Sequence, residues 1–231
     1  MKFWKKVLAS VTAGVLCLGG AGLSGAESVQ ESMGTVLSAS AYVPYSYDGR
    51  YEGLYYNVTD TGEIEITGCY EYVRKVNIPI EIDGKSVTSI GSSAFYDCTS
   101  LTEITIPDSV TSIGWRAFSY CTSLTEITIP DSVTSIRECA FYDCTSLKNV
   151  YISDINAWFE IDFDDLDSNP MCNGANLYCN GELVTEVAIP DSMESIGSYV
   201  FSYCTSLTKI TIPDSVTSIG ECAFYDCTSL T

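Results

Sequence analysis

A repeat of 23 residues constrains the fold of this chain more than any other feature of its sequence. The segment 101–123, LTEITIPDSVTSIGWRAFSYCTS, returns with few changes at 124–146 and at 207–229. A period of this length is typical of a solenoid, because one coil cannot bury its apolar face alone and stacked neighbours supply the core. We therefore predict one elongated solenoid domain.

Two spacings inside each repeat predict its secondary structure. Ile104 and Ile106 alternate with polar residues and precede Pro107, which indicates a short β-strand that ends at the proline. The Ala-Phe-x-x-Cys segment at 117–121 follows the i, i+1, i+4 pattern of one helical face, so we expect roughly two turns of helix there. The strands should form one parallel sheet opposite short helices or turns. The equivalent strands begin at Thr102, Thr125, Lys148, Thr185 and Thr208.

The repeat resembles the BspA-type leucine-rich repeat of bacterial surface proteins, whose coils read much like L-x-x-I-x-I-P-x-S-V-x-x-I-G-x-x-A-F-x-x-C. The resemblance covers about residues 78–231. It implies an α/β, right-handed leucine-rich-repeat solenoid with a parallel sheet. It also implies a secreted or surface-attached protein that binds host or neighbouring cells, with no catalytic activity in the repeats and no cofactor. The resemblance identifies no ligand.

The first residues predict export. Three lysines among the first six residues precede an apolar run at 7–23 that contains several small residues. This pattern is typical of a signal peptide at 1–26, cleaved after Ala26, with an alternative small-residue site after Ala41. A transmembrane anchor is the rival interpretation, but the run is short and broken by glycines. We expect a secreted protein, with no membrane insertion of the mature chain.

The segment 42–77 differs from the repeats and predicts an amino-terminal cap. It is rich in tyrosine, and two alternating stretches at 54–59 and 63–67 flank Asp-Thr-Gly, which indicates a β-hairpin. A β-rich cap would cover the apolar end of the solenoid at 78–231. The chain stops two residues into a further coil, so we expect the solenoid to be incomplete at its carboxyl end.

The repeat series is interrupted at 147–183, where 37 residues replace the usual 23. We interpret this interval as an enlarged coil. Asp154 can cap a short helix, and Asn180-Gly181 predicts a type I′ hairpin. An acidic run at 160–167 resembles a calcium-binding loop only loosely, so we interpret it as a solvated loop and predict no metal site.

Composition and charge exclude several function classes. The chain has 11 Lys+Arg against 30 Asp+Glu, a net charge of −19, which disfavours nucleic acid and anionic membranes as partners. It contains no histidine, so Ser–His and Cys–His nucleophiles and imidazole zinc ligands are absent. A carboxylate-pair glycosidase is a further alternative, because two suitably spaced carboxylates suffice for that reaction. Five aspartates share one position of the repeat, and we interpret their side chains as hydrogen-bonding to the backbone of a turn and not as catalytic groups. They are Asp108, Asp131, Asp154, Asp191 and Asp214.

Cysteines recur at one place in the repeat. Five share this position, and we predict that they pack as small apolar side chains: Cys98, Cys121, Cys144, Cys204 and Cys227. Cys172 and Cys179 flank a loop in the enlarged coil and are the most credible candidates for a bridged pair, but spacing alone does not fix the pairing or the disulfide state of the cysteines.

The predicted binding surface is the outward face of the strands, with no catalytic residue. Polar side chains alternate there with inward apolar ones, and Tyr151 is the predicted anchor because exposed aromatics are frequent hot spots. The expected partner is a protein or glycan on a host or neighbouring cell surface. The alternative is a structural spacer or display module of a longer protein. The predicted binding residues are Glu103, Thr105, Glu126, Thr128, Asn149, Tyr151, Glu186, Lys209 and Thr211.

Overall fold

The structure is a computed structural model that describes residues 47–70 and 72–231. The predicted signal peptide at 1–26, its alternative cleavage site and the first residues of the predicted cap lie outside this part of the chain. No helix among the described residues is long and apolar enough to cross a membrane.

The first described strands form an antiparallel meander. They are β1 (Gly49–Tyr51), β2 (Leu54–Val58) and β3 (Ile64–Cys69). The predicted hairpin is confirmed, and Gly62 in its turn has a φ of 88°, which a glycine adopts without strain. The last strand of this meander pairs in parallel with a strand of the first coil, Ile64 against Val87. The meander and the repeats therefore share one sheet.

Two parallel ladders run along the repeats. The first ladder contains β4 (Lys75–Asn77), β7 (Glu103–Thr105), β9 (Glu126–Thr128), β11 (Asn149–Ile152), β13 (Asn176–Cys179), β15 (Glu186–Ala188) and β17 (Lys209–Thr211). The second contains β6 (Lys85–Ile90), β8 (Ser112–Ile113), β10 (Ser135–Ile136), β12 (Asp162–Phe163), β16 (Ser195–Ile196) and β18 (Ser218–Ile219). Two further strands form hairpins, β5 (Glu81–Ile82) with β6 and β14 (Glu182–Leu183) with β13. The helical elements are α1 (Ile155–Phe159) and a 3₁₀ turn (Pro170–Asn173).

The first ladder is interrupted, so the expectation of one continuous sheet is wrong. Its hydrogen-bonded sections are β4–β7, β9–β11–β13 and β15–β17. The strand at Lys148 does not neighbour the strand at Thr185, because β13 takes the place beside it, with Asn149 opposite Asn176. The β13–β14 hairpin then separates β13 from β15. The second ladder is also interrupted at this level, between β12 and β16.

The predicted short helices at the Ala-Phe-x-x-Cys segments are also wrong, because these segments are turns. Two residues in each regular coil have a positive φ, for example Arg116 at 52° and Tyr120 at 62°. Such residues cannot continue a right-handed helix. The backbone instead bonds to the next coil, as when the Phe118 N–H donates to the Ala140 carbonyl at 2.8 Å.

The core follows the repeat columns as predicted. The rings of Phe95, Phe118 and Phe141 stack at centroid distances of 5.3 Å, with planes 3° and 16° apart. All eight apolar positions of the repeat are buried: Leu101, Ile104, Ile106, Val110, Ile113, Ala117, Phe118 and Cys121.

A second aromatic column lies on the turn side and alternates in sequence. Coils end in Tyr-Asp-Cys or Ser-Tyr-Cys, and the tyrosine shifts by one position between neighbouring coils. Tyr120 consequently meets Tyr96 and Tyr142 edge to face, at 5.6 and 5.4 Å and at 79° to both rings. This geometry is favourable for aromatic pairs.

Candidate recognition surface

The outward face of the first ladder carries the predicted binding residues. The middle residue of these strands, such as Ile104 or Ile127, is buried, or half-buried in β17, so the flanking side chains point away from the core. Asn149 and Tyr151 are half-buried, and the other seven predicted residues are exposed. The set is divided over three hydrogen-bonded sections, because Glu103 and Thr105 lie on β4–β7 and the last three residues lie on β15–β17.

Two exposed ion pairs cross between neighbouring strands on this face. The Lys75 Nζ lies 2.6 Å from a Glu103 carboxylate oxygen, and the Lys209 Nζ lies 3.8 Å from Glu186. Each pair joins residues directly opposite in register. Exposed pairs of this kind contribute about 0–1 kcal/mol, so their main effect here is to neutralise charge at both ends of the face.

Strand β13 adds two residues to this surface that the sequence interpretation missed. Asn176 lies opposite Asn149, and Tyr178 lies opposite Tyr151 with ring centroids 5.3 Å apart and planes tilted by 35°. The signal was present, because 149–152 reads NVYI and 176–179 reads NLYC. We name these four residues the amide–aromatic patch. Two amides and two phenol rings offer donors, acceptors and apolar area within two adjacent strands.

A cleft opens beside this patch, where the ladder is interrupted. It has a volume of about 500 Å³ and lies between the β13–β14 hairpin and β15. Its walls include Ile155, Leu183 and the strand Glu186–Ala188. We name it the hairpin cleft. The type I′ turn that creates the hairpin is confirmed, since Asn180 and Gly181 have φ values of 52° and 81°.

Side chains of the enlarged coil hold the following coil in place at this opening. In a regular coil, the Ala140 carbonyl accepts a hydrogen bond from a main-chain N–H of the preceding coil. The Val200 carbonyl occupies the equivalent position in its own coil. It accepts instead from the indole N–H of fully buried Trp158, at 2.9 Å. The buried Asn169 amide likewise donates to the Tyr199 carbonyl at 2.8 Å. These bonds satisfy carbonyls that would otherwise be buried without a partner.

The comparisons with known proteins agree with this architecture. The family described as the BspA type leucine rich repeat region matches residues 66–161 and 174–231, in six copies. This match extends over more than half of the sequence. The chain belongs to the BspA-type leucine-rich repeat family.

Solved leucine-rich repeat proteins share the fold of this BspA-type chain. A leucine-rich repeat protein of T. pallidum is 27% identical with a TM-score of 0.53, over 79% of this chain and 90% of that one. A leucine-rich repeat protein of Bacteroides ovatus is 31% identical with a TM-score of 0.56, over 80% of this chain and 46% of that one. No curated protein matches the sequence significantly.

The acidic run of this BspA-type protein is more than a solvated loop. Asp165 accepts from the main-chain N–H groups of Cys139 at 3.1 Å and Ser168 at 2.6 Å, and Asp164 pairs with Arg137 at 3.0 Å. Ligand atoms of Cys139, Asp165 and Asp167 lie within 4.8 Å of one another. Burial, together with Asp165, raises the pKa of Asp167 and of the Cys139 thiol. The Asp165 carboxylate therefore acts as a main-chain cap between coils.

The aspartate column forms turn hydrogen bonds at two of its places, as interpreted. Asp154 caps α1 by accepting from the Asn156 N–H at 2.8 Å. Asp131 accepts across coils, from the Asp154 N–H at 3.1 Å and the Ser153 hydroxyl at 2.5 Å. These carboxylates are structural at both positions.

The cysteines of the repeat column pack in the core as predicted. The thiols of Cys121 and Cys144 lie 3.1 Å from the carbonyl oxygens of Phe95 and Phe118, one coil earlier. Burial raises the pKa of Cys144 to about 12. These thiols are therefore protonated and unreactive at neutral pH.

The candidate pair Cys172 and Cys179 is not bridged in the structure, where all the described cysteines are free. Cys172 continues the core column, with its thiol 3.4 Å from the Phe141 carbonyl oxygen. Cys179 lies on β13, and its thiol is 3.8 Å from the Ser153 carbonyl oxygen. The two side chains belong to different parts of the coil, because the chain between them crosses from the turn side to the first ladder.

Proposed function

We propose that this BspA-type protein is a non-catalytic recognition protein, secreted or held at the cell surface, that binds a protein or glycan through the outward face of its first ladder. The amide–aromatic patch carries the proposal. It repeats one Asn-x-Tyr pair on two adjacent strands, whereas the two preceding strands, β7 and β9, carry Glu-x-Thr.

The composition of the patch suits recognition. Tyrosine supplies a large, rigid contact area at low entropic cost and is enriched at binding hot spots. Tyr151 and Tyr178 are half-buried against each other, so their rings are pre-ordered before a ligand arrives. Less side-chain freedom is then lost on binding.

Charge along the face adds selectivity. Glu126, which forms no ion pair with the described residues, lies directly beside Asn149 in register, and the Lys75–Glu103 pair lies further along. A ligand with a cationic group would reach Glu126 while it contacts the tyrosines. The extracellular location is supported by the predicted signal peptide at 1–26.

The experiment compares two matched double variants of the full chain. Tyr151→Ala with Tyr178→Ala removes both rings, and Thr105→Ala with Thr128→Ala truncates the same row of the neighbouring strands. Fluorescently labelled proteins are applied to arrays of glycans and of extracellular proteins. Loss of two hot spots of at least about 2 kcal/mol each predicts more than a tenfold loss of binding for the tyrosine variant. The threonine variant removes two predicted contacts but no ring, so it should lose less binding than the tyrosine variant, and both should melt like the wild type.

Charge reversal of Glu103 and Glu126 tests the acidic part of the face on the same arrays, and we expect weaker binding there also. Undiminished binding by the folded tyrosine variant would refute the proposal. A wild-type chain that binds nothing would support the spacer or display alternative, and release of free sugar from an arrayed glycan would support the glycosidase alternative.

A further inference from the structure

Strand β15 presents a free main-chain edge inside the solenoid. In the described chain it pairs only with β17. The bonds to β17 use alternate residues, because the Ile189 N–H donates to Thr211 and the Thr208 N–H donates to the Thr185 carbonyl. In a parallel ladder the N–H and C=O of one residue point to the same side. The main-chain groups of Glu186 and Ala188 therefore face the hairpin cleft.

The cleft provides the space that another strand would need. Its volume of about 500 Å³ lies within the range of roughly 300–1,000 Å³ typical of ligand sites. An apolar wall is formed by Leu183, whose side chain is 41% exposed, and by half-buried Ile155. A free strand edge next to apolar side-chain positions is the arrangement by which proteins bind extended peptides.

The charges of the rim indicate which peptide fits. Glu182 and Glu186 line the cleft, and both are exposed. A second opening of about 390 Å³, where the other ladder is interrupted, is lined by Glu160, Asp162 and Glu194. A chain with a net charge of −19 attracts cationic segments over a distance.

We infer that the hairpin cleft is a strand-acceptor site, in which an extended peptide with basic side chains pairs with the free edge of β15. Its main chain exchanges hydrogen bonds with Glu186 and Ala188. Alternate side chains contact Leu183 and Ile155 or reach Glu182. This site is separate from the amide–aromatic patch, so either can fail without the other.

Phage-displayed random linear peptides, selected on the immobilised full chain, are the probe. Selected sequences should alternate Lys or Arg with apolar residues, and synthetic copies are titrated by fluorescence polarisation. Ala188→Pro deletes one of the two N–H groups that face the cleft and leaves the bonds to β17, so affinity should fall at least tenfold. Ala188→Ser keeps that N–H and is the matched control, which should bind like the wild type.

Two further measurements keep the inference testable if Ala188→Pro does not fold. In a paired peptide only every second N–H faces β15. N-methylation of that set of amides should abolish binding, and N-methylation of the other set should not. Glu182→Lys with Glu186→Lys should weaken binding at least tenfold. Equal affinity for Ala188→Pro and wild type, selection of no peptide, or loss of peptide binding in the Tyr151→Ala, Tyr178→Ala variant would overturn the inference.

A different observation concerns the cysteines at the start of the solenoid. Cys98 occupies the core column, but its sulfur meets the sulfur of Cys69 on β3 at 3.4 Å, whereas Cys121 and Cys144 meet carbonyl oxygens of the preceding coil. Cys69 and Cys98 are buried, with 1% and 7% of their surface exposed. Among the described cysteines, this pair alone brings two sulfurs this close.

The geometry points to a disulfide between Cys69 and Cys98, which would fasten the amino-terminal meander to the first coil. It rests on the export part of the proposed function. Both S–H bonds break, one S–S bond forms, and the two protons and two electrons reduce a small-molecule disulfide to two thiols. Repeat-column thiols such as Cys121, which meet carbonyl oxygens, stay reduced.

Oxidised glutathione added to the purified full chain supplies the test. After alkylation, peptide mass mapping should find Cys69 linked to Cys98 and Cys121 free. Oxidation should raise the melting temperature, and a reductant should reverse that rise. Cys69→Ser should abolish this redox response, and Cys121→Ser should keep it. Free Cys98 after oxidation, or Cys98 bridged to another cysteine, would overturn the assignment.

Discussion

The regular coils at 101–146 and the enlarged coil at 147–183 hold their neighbours by different chemistry. Regular coils bond main chain to main chain, as in the Phe118 N–H to Ala140 carbonyl bond. The enlarged coil bonds the preceding coil in the same way but holds the following coil through side chains, namely the Trp158 indole and the Asn169 amide. Main-chain bonds recur whatever the sequence, whereas each side-chain bond depends on one residue. A solenoid can therefore change its period where a few specific side chains replace the lost ladder.

The same difference determines where distinctive surface arises. Duplicated coils repeat one surface, as the Glu-x-Thr strands β7 and β9 show. The interruption introduces the amide–aromatic patch and the hairpin cleft within a few residues of each other. Both candidate binding sites thus depend on the break in the repeat and not on the repeat itself.

The largest expected effect tests the regular coils. Phe118→Ala removes a ring stacked between Phe95 and Phe141, and the stacked coils cannot close the cavity. We expect a loss of about 3–5 kcal/mol in the free energy of unfolding, measured by urea denaturation. Trp115→Ala is the control, because its side chain is 42% exposed, and it should change stability by less than about 0.5 kcal/mol. A cost below about 1 kcal/mol for Phe118→Ala would show that the coils do collapse around the gap.

An intermediate effect tests the enlarged coil. Trp158→Phe keeps an aromatic ring but deletes the N–H that bonds the Val200 carbonyl. A buried acceptor without its donor costs about 1–3 kcal/mol. The Asn169 amide, 3.4 Å from that carbonyl, would offset part of this cost.

The matched control makes the same chemical change at an exposed tryptophan, Trp115→Phe, and should leave stability unchanged. Amide hydrogen exchange should accelerate around 199–203 in Trp158→Phe and remain slow around 117–121. Uniform acceleration in both places would mean that the enlarged coil is not held separately.

The smallest expected effect concerns charge in the enlarged coil. Burial and the neighbouring Asp165 raise the pKa of Asp167 in the folded protein above its unfolded value. The folded state then binds more protons, so the ionised carboxylate lowers stability once the pH exceeds the folded pKa. Asp167→Asn should therefore stabilise the protein at neutral pH, and the gain should shrink as the pH falls through that pKa. Thermal melting of wild type and variant across this pH range is the measurement, and a gain that does not change with pH would contradict the expectation.

The sequence predicts most of the regular coils because each position is repeated. Burial of Ile104, Ile113 and Phe118 follows from their spacing, and the cap at Asp154 follows from residue type. The turns at the Ala-Phe-x-x-Cys segments do not, because residues such as Arg116 carry no signal for a positive φ. Long-range bonds to the next coil impose that conformation, and they override local helical spacing.

The candidate site is predictable only in part for the same reason. The outward residues of β7, β9 and β11 follow from strand alternation. Strand β13 is predicted as part of the hairpin but not as a member of the first ladder, because it lacks the Ile-Pro ending of the other repeats, although its Asn-x-Tyr matches Asn149 and Tyr151. The hairpin cleft depends on how β13, β14 and β15 meet, which no local pattern encodes.

The edge-to-face tyrosine column bears on how such a chain can lengthen. Tyr-Asp-Cys coils alternate with Ser-Tyr-Cys coils, and each tyrosine contact joins one coil of each kind. A duplication therefore preserves every contact only if it copies two coils together, which is twice 23 or 46 residues. Duplication of a single coil would place two coils of the same kind side by side and lose the edge-to-face tyrosine contact between them. The enlarged coil contributes two strands to the first ladder, β11 and β13, and the alternation resumes after it in phase, with Tyr203 meeting Tyr225 at 5.4 Å. The coils on both sides of the enlarged coil therefore keep the same alternating order.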